Sequence, residues 1–279
     1  MPELPEVETV KEALKHRVLG SKIASVEVFF DKMIKGMSAE EFKDLLEGQS
    51  IRDITRRGKY LVFHLDDFYL LSHLRMEGKY FIHDGPVPKE KHTHVIFKLE
   101  GGQEIFYDDV RKFGTFHLYP KDTDLERTRS FSVLGIEPFD EAMSAGYLRD
   151  KFQRKKKPVK SLLLDQSVFT GLGNIYVDEV LFRAGLHPQA QSNNLTEKQL
   201  EDVVKYTQEV LRRAIELKGT TIKTFSSQHG VAGSFQQELK VHTRKGLPCP
   251  VCGTAIEKFK VGGRGTYICP SCQPLPQIG

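Results

Sequence analysis

Four cysteines constrain this chain more than any other residues. They are all the cysteines it has, and they form two pairs, Cys249-x2-Cys252 and Cys269-x2-Cys272, with sixteen residues between. Two such pairs at this separation read as one tetrahedral zinc site, because each pair chelates one side of an ion whose Zn–S distance is about 2.3 Å. The alternative is reduced core cysteines, for which the segment has too few other hydrophobic residues. Thiolates at all four positions leave none open, so the expected cofactor is one structural Zn2+ with no catalytic part. Between the pairs, residues 254–261 and 266–268 read as two strands joined by Gly262-Gly263-Arg264-Gly265. This is a zinc ribbon, expected to hold Arg264 out at its hairpin tip.

Charge is unevenly placed along the chain. The 279 residues carry 41 Lys+Arg against 37 Asp+Glu, a net of only +4, yet residues 240–279 hold six Lys+Arg against Glu257 alone. Residues 151–160 add six Lys+Arg and no acid, and residues 52–59 add four against Asp53. One cluster alone would read as a solvated face; three together point to a polyanionic partner. With 39% hydrophobic and 28% charged residues the composition is globular and excludes general disorder. Apolar runs such as 60–65 fall far short of the ~20 residues a spanning helix needs, so no membrane segment is expected. The acidic start Met1-Pro2-Glu3 is unlike a signal peptide, which predicts a cytoplasmic chain with reduced cysteines.

Periodicity divides the rest. Pro5 suits a first helical turn, Val7, Val10, Leu14 and Val18 share a face, and Gly20 ends the helix. Ile23, Val26, Val28 and Phe30 then change to a shorter period, and Ser38 with Glu41 caps a short helix that stops at Gly48. Strand-like runs follow at 51–57, 59–65, 68–75, 78–83, 93–99, 103–109 and 112–119. An antiparallel β-sandwich with a helix at its start is the expected N-terminal catalytic domain, residues 1–133. Helices are predicted near 141–153, 158–166 and 175–184. A longer one is capped by Thr196 and Gln199, with Leu200, Val203, Val204, Val210, Leu211, Ala214 and Ile215 on one face, and Gly219 closes it. These form a helical domain, residues 134–239, whose loop at 220–235 is long enough to be functional. The ribbon occupies 240–279, with a Pro-rich end after Gln273 that reads as disordered. The fold class is α+β and multidomain.

No nucleotide-binding glycine loop is present, since Gly171-Leu172-Gly173-Asn174 is too short. Chemistry must come from side chains or the terminus. Removal of Met1 would expose Pro2 as a secondary amine with a pKa of about 8, able to attack a sugar carbon and form an iminium ion. Proline at position 2 is also common by accident, and composition does not choose.

The motifs do. Pro2-Glu3-Leu4-Pro5-Glu6-Val7-Glu8-Thr9, Arg56-Arg57-Gly58-Lys59-Tyr60-Leu61 and His73-Leu74-Arg75-Met76-Glu77-Gly78 resemble, in order, segments of the bacterial formamidopyrimidine-DNA glycosylases. So do Asp108-Asp109-Val110-Arg111-Lys112-Phe113-Gly114, the stretch from Lys160 through Gly171-Leu172-Gly173-Asn174-Ile175-Tyr176 to Glu179, and Gly263-Arg264-Gly265-Thr266. The resemblance spans nearly the whole chain. It implies a helix-two-turns-helix DNA-binding element in the helical domain and a base-excision enzyme that acts on double-stranded damaged DNA as a monomer, bound to the bacterial nucleoid. It would remove 8-oxoguanine and formamidopyrimidines and then cleave the abasic strand by β,δ-elimination.

By that resemblance Pro2 is the Schiff-base nucleophile, Glu3 the acid/base at the sugar ring oxygen, and Lys59 the cation grouped with them as catalytic. Met76, Arg111 and Phe113 fill the hole left by the extruded base; considered singly, Met76 and Phe113 read first as core residues beside a surface Arg. Lys59, Lys160 and Arg264 contact DNA phosphates, one from each basic cluster, with Asn174 as a neutral donor. Glu6, Glu77, Tyr176 and Glu179 support the site, Glu6 and Glu179 as internal carboxylates that position the terminus. The loop 220–235 closes over the extruded base. Val241-His242-Thr243-Arg244 departs from the family's more usual Val-Tyr-Gly-Arg, which removes a tyrosyl phosphate contact and leaves open whether His242 replaces it. The competing readings are an endonuclease VIII-like oxidised-pyrimidine glycosylase and a non-catalytic DNA-binding relative.

Overall fold

The computed structural model describes residues 2–220 and 233–275, in two compact units. Met1–Leu125 with Thr220–Gly233 make the first, and Glu126–Gly219 with Ser234–Gly279 the second. The central part of the 220–235 loop and the last four residues of the Pro-rich end lie outside the described residues. Among those described, no helix is long and apolar enough to cross a membrane.

In the first unit, α1 (Leu4–Val18) buries Leu4, Val7, Val10, Leu14 and Val18 along one stripe, the spacing that turns a helix's apolar side to a core. Then come β1 (Ile23–Val28), β2 (Ile34–Lys35), α2 (Ala39–Leu46), β3 (Asp53–Arg57), β4 (Tyr60–His64), β5 (Phe68–His73), β6 (Lys79–His83), β7 (Thr93–Leu99), β8 (Glu104–Asp108) and β9 (Thr115–Pro120). One sheet has the order β2-β9-β5-β4-β3 and the other β1-β7-β8-β6. Every pairing is antiparallel except β2 with β9. At two residues, β2 is too short to show a period in the sequence. Between the sheets Phe97 of β7 meets Phe116 of β9 with ring centroids 6.1 Å apart, and Tyr107 of β8 lies edge-on to Phe116 at 4.9 Å. Each such side chain, fully buried, contributes about 1.5–3 kcal/mol. The run expected at 112–119 begins as strand only at Thr115; residues 112–114 belong to a loop.

The second unit holds α3 (Ala145–Phe152), α4 (Val159–Leu163), α5 (Asn174–Arg183), α6 (Glu197–Glu216), β10 (Glu257–Val261) and β11 (Arg264–Ile268). α6 begins with the expected capping box, in which the Gln199 N–H donates to Thr196 Oγ1 at 3.3 Å and the Thr196 N–H to Gln199 Oε1 at 2.9 Å. Its buried stripe is Leu200, Val203, Thr207, Val210, Leu211 and Ala214, so Val204 and Ile215 flank the core and Thr207 enters it. α4 stops at Leu163, short of the predicted 166. Asp165 Oδ1 accepts the Ser167 N–H at 3.0 Å, and Gln166 bonds the Gly171 N–H at 3.0 Å and the Leu172 carbonyl at 2.9 Å. These side chains take backbone groups that a continuing helix would have used itself.

The ribbon hairpin is tighter than expected. Gly262 and Gly263 alone form the turn, at φ +54° and +77°, as a two-residue primed turn requires. Arg264 is therefore the exposed first residue of β11, paired with Val261, and not a turn residue. The ribbon also shares a core with the helices, in which Phe182 of α5 packs with Val241, Cys249, Ile256 and Cys269.

Candidate active site and nucleic-acid interface

Pro2 is buried and leads straight into α1, with Glu3 at the N-cap position, 3% exposed. Glu6 anchors this turn. Its Oε2 accepts the Glu3 N–H at 2.9 Å, and its Oε1 accepts the Thr220 N–H at 2.8 Å and the Thr220 hydroxyl at 3.1 Å. One carboxylate thus ties the residue after Pro2 to the start of the 220–235 loop. The sequence does not single out Thr220, which is one of many small polar residues there.

Lys59 sits in the two-residue turn between β3 and β4, where Gly58 takes φ +58°. The lysine is 6% exposed. α1 holds this turn through Arg56, which donates to Glu8 Oε2 from Nε at 2.8 Å and to the Gly58 carbonyl from Nη1 at 2.8 Å. Burial opposes ionisation of Glu8, but hydrogen bonds and charge from Lys11 and Arg56 outweigh it and hold the carboxyl below its ordinary range. In the sequence Arg56 is indistinguishable from the rest of its basic cluster.

Met76 and Glu77 are half-buried in the loop after β5, which Gly78 closes by donating its N–H to the Leu74 carbonyl at 2.9 Å. Arg111 and Phe113 lie in the loop between β8 and β9. Phe113 is 51% exposed, with the Arg111 guanidinium 4.8 Å from its ring centroid. Asp109, 1% exposed, organises this loop: its carboxylate accepts the N–H groups of Arg111, Phe113 and Gly114 at 3.0, 2.9 and 2.7 Å. Exposed Phe and Arg on a braced loop are not the core residues that Phe113 alone suggests.

In the second unit Lys160 departs from expectation. Its ammonium is fully buried and donates to Asp178 Oδ1 at 2.7 Å, Thr266 Oγ1 at 2.9 Å and the Gly265 carbonyl at 3.1 Å. An ammonium has three donors, and these acceptors use them, so Lys160 does not present itself to a phosphate. It clamps α4 and α5 to β11 instead. Asn174 Nδ2 donates to the same Gly265 carbonyl at 2.9 Å, which fixes the first residue of α5 beside Arg264. Tyr176 lies in the core, its ring 5.4 Å from that of Phe235.

Glu179 is also fully buried and accepts the N–H groups of Lys240, Val241 and His242 at 2.9, 3.0 and 2.9 Å. Burial raises its pKa, and these bonds offset only part of that. His242 turns inward, with Nδ1 2.7 Å from Asp178 Oδ2 and its ring edge-on to Tyr267 at 4.9 Å. Sequence reasoning misses Asp178, yet a signal exists: two acids stand side by side in an otherwise apolar stretch of helix, Ile175 to Phe182, where a charge needs a partner.

The four Cys Sγ atoms lie within 4.8 Å of one another, with Cys252 3.4 Å from Cys269 and 3.6 Å from Cys272, and Cys249 3.9 Å from Cys272. A tetrahedron with Zn–S of about 2.3 Å has edges of about 3.8 Å. The cluster fits one structural zinc.

Comparisons with known proteins agree along the chain. Residues 1–116 match the formamidopyrimidine-DNA glycosylase N-terminal domain, 134–226 its H2TH domain, and 246–275 a zinc finger found in FPG and IleRS. A formamidopyrimidine-DNA glycosylase of Exiguobacterium sibiricum is 50% identical over 276 residues, 99% of each chain. A point mutant of the Lactococcus lactis FPG, solved in complex with a Fapy-dG containing DNA, superposes with a TM-score of 0.92 at 42% identity, covering 98% of this chain and 100% of that one. The Lactococcus lactis Fpg solved with an abasic site containing DNA gives 0.91 at 43% identity and the same coverage. The chain belongs to the formamidopyrimidine-DNA glycosylase family.

Proposed function

We propose that this protein is a base-excision repair glycosylase that removes oxidised purines, 8-oxoguanine and formamidopyrimidines, from double-stranded DNA and cleaves the resulting abasic strand as an AP lyase. It works as a monomer in the bacterial cytoplasm, on the nucleoid. The observation that supports this best is the anchored first turn of α1, where Glu6 holds the Glu3 N–H and so fixes the residue next to Pro2.

With Met1 removed, the Pro2 nitrogen has an unshared pair available near neutral pH, since a free α-amino group has a pKa of about 8. It attacks C1′ of the extruded nucleotide, the C1′–base bond breaks with its electrons leaving on the base, and the proton of the resulting ammonium passes to the departing base, which restores the lone pair on the proline nitrogen. Glu3 protonates the ring oxygen, the ring opens, and the proline becomes a cationic iminium. Loss of a C2′ proton then expels the 3′ phosphate, and a second elimination expels the 5′ phosphate. Lys59, on the hairpin turn braced by Arg56, supplies positive charge near the reacting sugar. Met76, Arg111 and Phe113 occupy the vacated stack, Phe113 and Met76 as apolar volume and Arg111 as a donor to the orphaned base. Arg264, exposed on β11, and Asn174 meet the phosphates, positioned by the buried Lys160.

Borohydride reduction tests this reading. Wild-type protein with duplex DNA carrying 8-oxoguanine opposite cytosine is expected to yield a covalent complex that Pro2→Gly does not form. Equal trapping by the two proteins, or none by wild type, would overturn it.

A further inference from the structure

We infer that Tyr107 is a positioning residue for base extrusion: its phenol is a common stop against which the Met76 loop and the Arg111–Phe113 loop are both set. This rests on the glycosylase activity proposed above and adds a residue that touches neither DNA nor the reacting atoms.

Tyr107 is fully buried on β8, its ring 5.2 Å from that of Tyr80 and 4.9 Å from that of Phe116. Its hydroxyl end lies against two glycines, Gly78 at the close of the Met76 loop and Gly114 at the close of the Arg111–Phe113 loop. A Cβ on either glycine would collide with Tyr107 Oη; at Gly78 the Leu74 carbonyl crowds it too, and at Gly114 it would also come within 2.7 Å of Tyr107 Cζ and 3.1 Å of Cε1. Neither position has a positive φ. Glycine is therefore needed at both for space and not for backbone freedom; the phenol fills that space at Gly114 and shares it with the Leu74 backbone at Gly78.

The hydroxyl is buried with no hydrogen-bond partner among the described residues. A buried, unsatisfied hydroxyl is a net cost, and phenylalanine would fill the core without it. What tyrosine adds is one atom of reach, and that atom is the one in contact with both loops. Each loop is braced internally, one by the Gly78 to Leu74 bond and the other by Asp109. Tyr107 sets the two braced loops against each other, so Met76 and the Arg111–Phe113 pair are held in one fixed relation when they enter the hole left by the base.

Tyr107→Phe, Gly114→Ala and the double variant test this. Single-turnover excision of 8-oxoguanine opposite cytosine is measured beside cleavage of a preformed abasic site, which has no base to extrude. Tyr107→Phe is expected to lower the ratio of excision to abasic cleavage by about tenfold, the scale on which small misplacements of aligned groups act. Its denaturation midpoint should not fall, because no hydrogen bond is removed. Gly114→Ala should lower the same ratio, and the double variant should be impaired by less than the product of the two, because both changes act at one point of contact. An unchanged ratio in Tyr107→Phe with an active wild type overturns the inference alone, as does a multiplicative double variant. A wild type that excises nothing brings down the glycosylase reading and this inference with it.

Discussion

His73 is enclosed between the ring of Tyr60, which it meets edge-on at 4.5 Å, and the turn that follows β5, where its Nδ1 accepts the Arg75 N–H at 2.9 Å. An accepting Nδ1 puts the proton of the neutral ring on Nε2. Burial, with the charges of Arg75 and Lys59 beside it, pushes its pKa down to about 3. The unfolded chain protonates this histidine near pH ~6.5 and the folded chain does not. The contribution to stability is therefore complete above about 6.5 and is lost as the pH falls from there toward 3, at up to about 1.4 kcal/mol per pH unit. His73→Asn keeps an acceptor, Oδ1, for the Arg75 N–H and does not titrate. Urea midpoints measured between about pH 7 and 4 should fall less steeply for this variant than for wild type. At the same scale Thr243 takes φ +63°, a conformation that strains a β-branched residue, where the family more often has glycine.

Lys160 shows what an element-level view adds to a residue-level one. It joins α4, α5 and β11 through a fully buried ion pair with Asp178, 2.7 Å apart. Removing one partner of such a pair strands the other charge, which costs about 3–5 kcal/mol. Lys160→Met should lower the stability of the second unit by that amount in denaturant titrations followed by circular dichroism. Lys160→Met/Asp178→Asn should be less destabilised, because no unpaired charge remains beside His242 and the Tyr267 N–H. Sequence reading sends Lys160 to a phosphate because lysine in a basic run is solvated or binds anions far more often than it is buried, and its partners lie 18 and 105 residues away. Local signals are legible: the α6 capping box, the Ser38 cap of α2, the α1 stripe and the strand runs depend on neighbours a few residues apart. Arg264 is misplaced for the same kind of reason, since three glycines in Gly262-Gly263-Arg264-Gly265 leave the turn length undecided until register fixes it at two. The parts given to Tyr107 and Asp109 are illegible in the sequence, because nothing local says which loops the end of a strand tyrosine will meet, or that a loop aspartate turns inward to its own backbone.

Over the whole molecule, a net charge of +4 conceals a basic C-terminal segment, and that segment depends on its metal. The apolar cluster under the ribbon is small, five side chains of which two are zinc-binding cysteines, and Val251 and Leu247 are exposed. A hairpin of this size does not bury enough to fold by itself, so zinc binding supplies its folding free energy. Removal of the metal would release Arg264 together with the Gly265 carbonyl and Thr266 hydroxyl that fix Lys160 and Asn174. Native mass measurement should therefore find about one zinc per chain, and Cys252→Ser or strong chelation should remove it. DNA affinity should then fall, and the dependence of log K on log salt should become shallower by about 0.9 for each phosphate that the protein no longer neutralises. The strands of the first unit contain none of the ligands, so their circular dichroism should persist. A zinc-free protein that kept both the wild-type affinity and the wild-type salt slope would show that the ribbon holds no phosphate, and would overturn the phosphate contact proposed for Arg264.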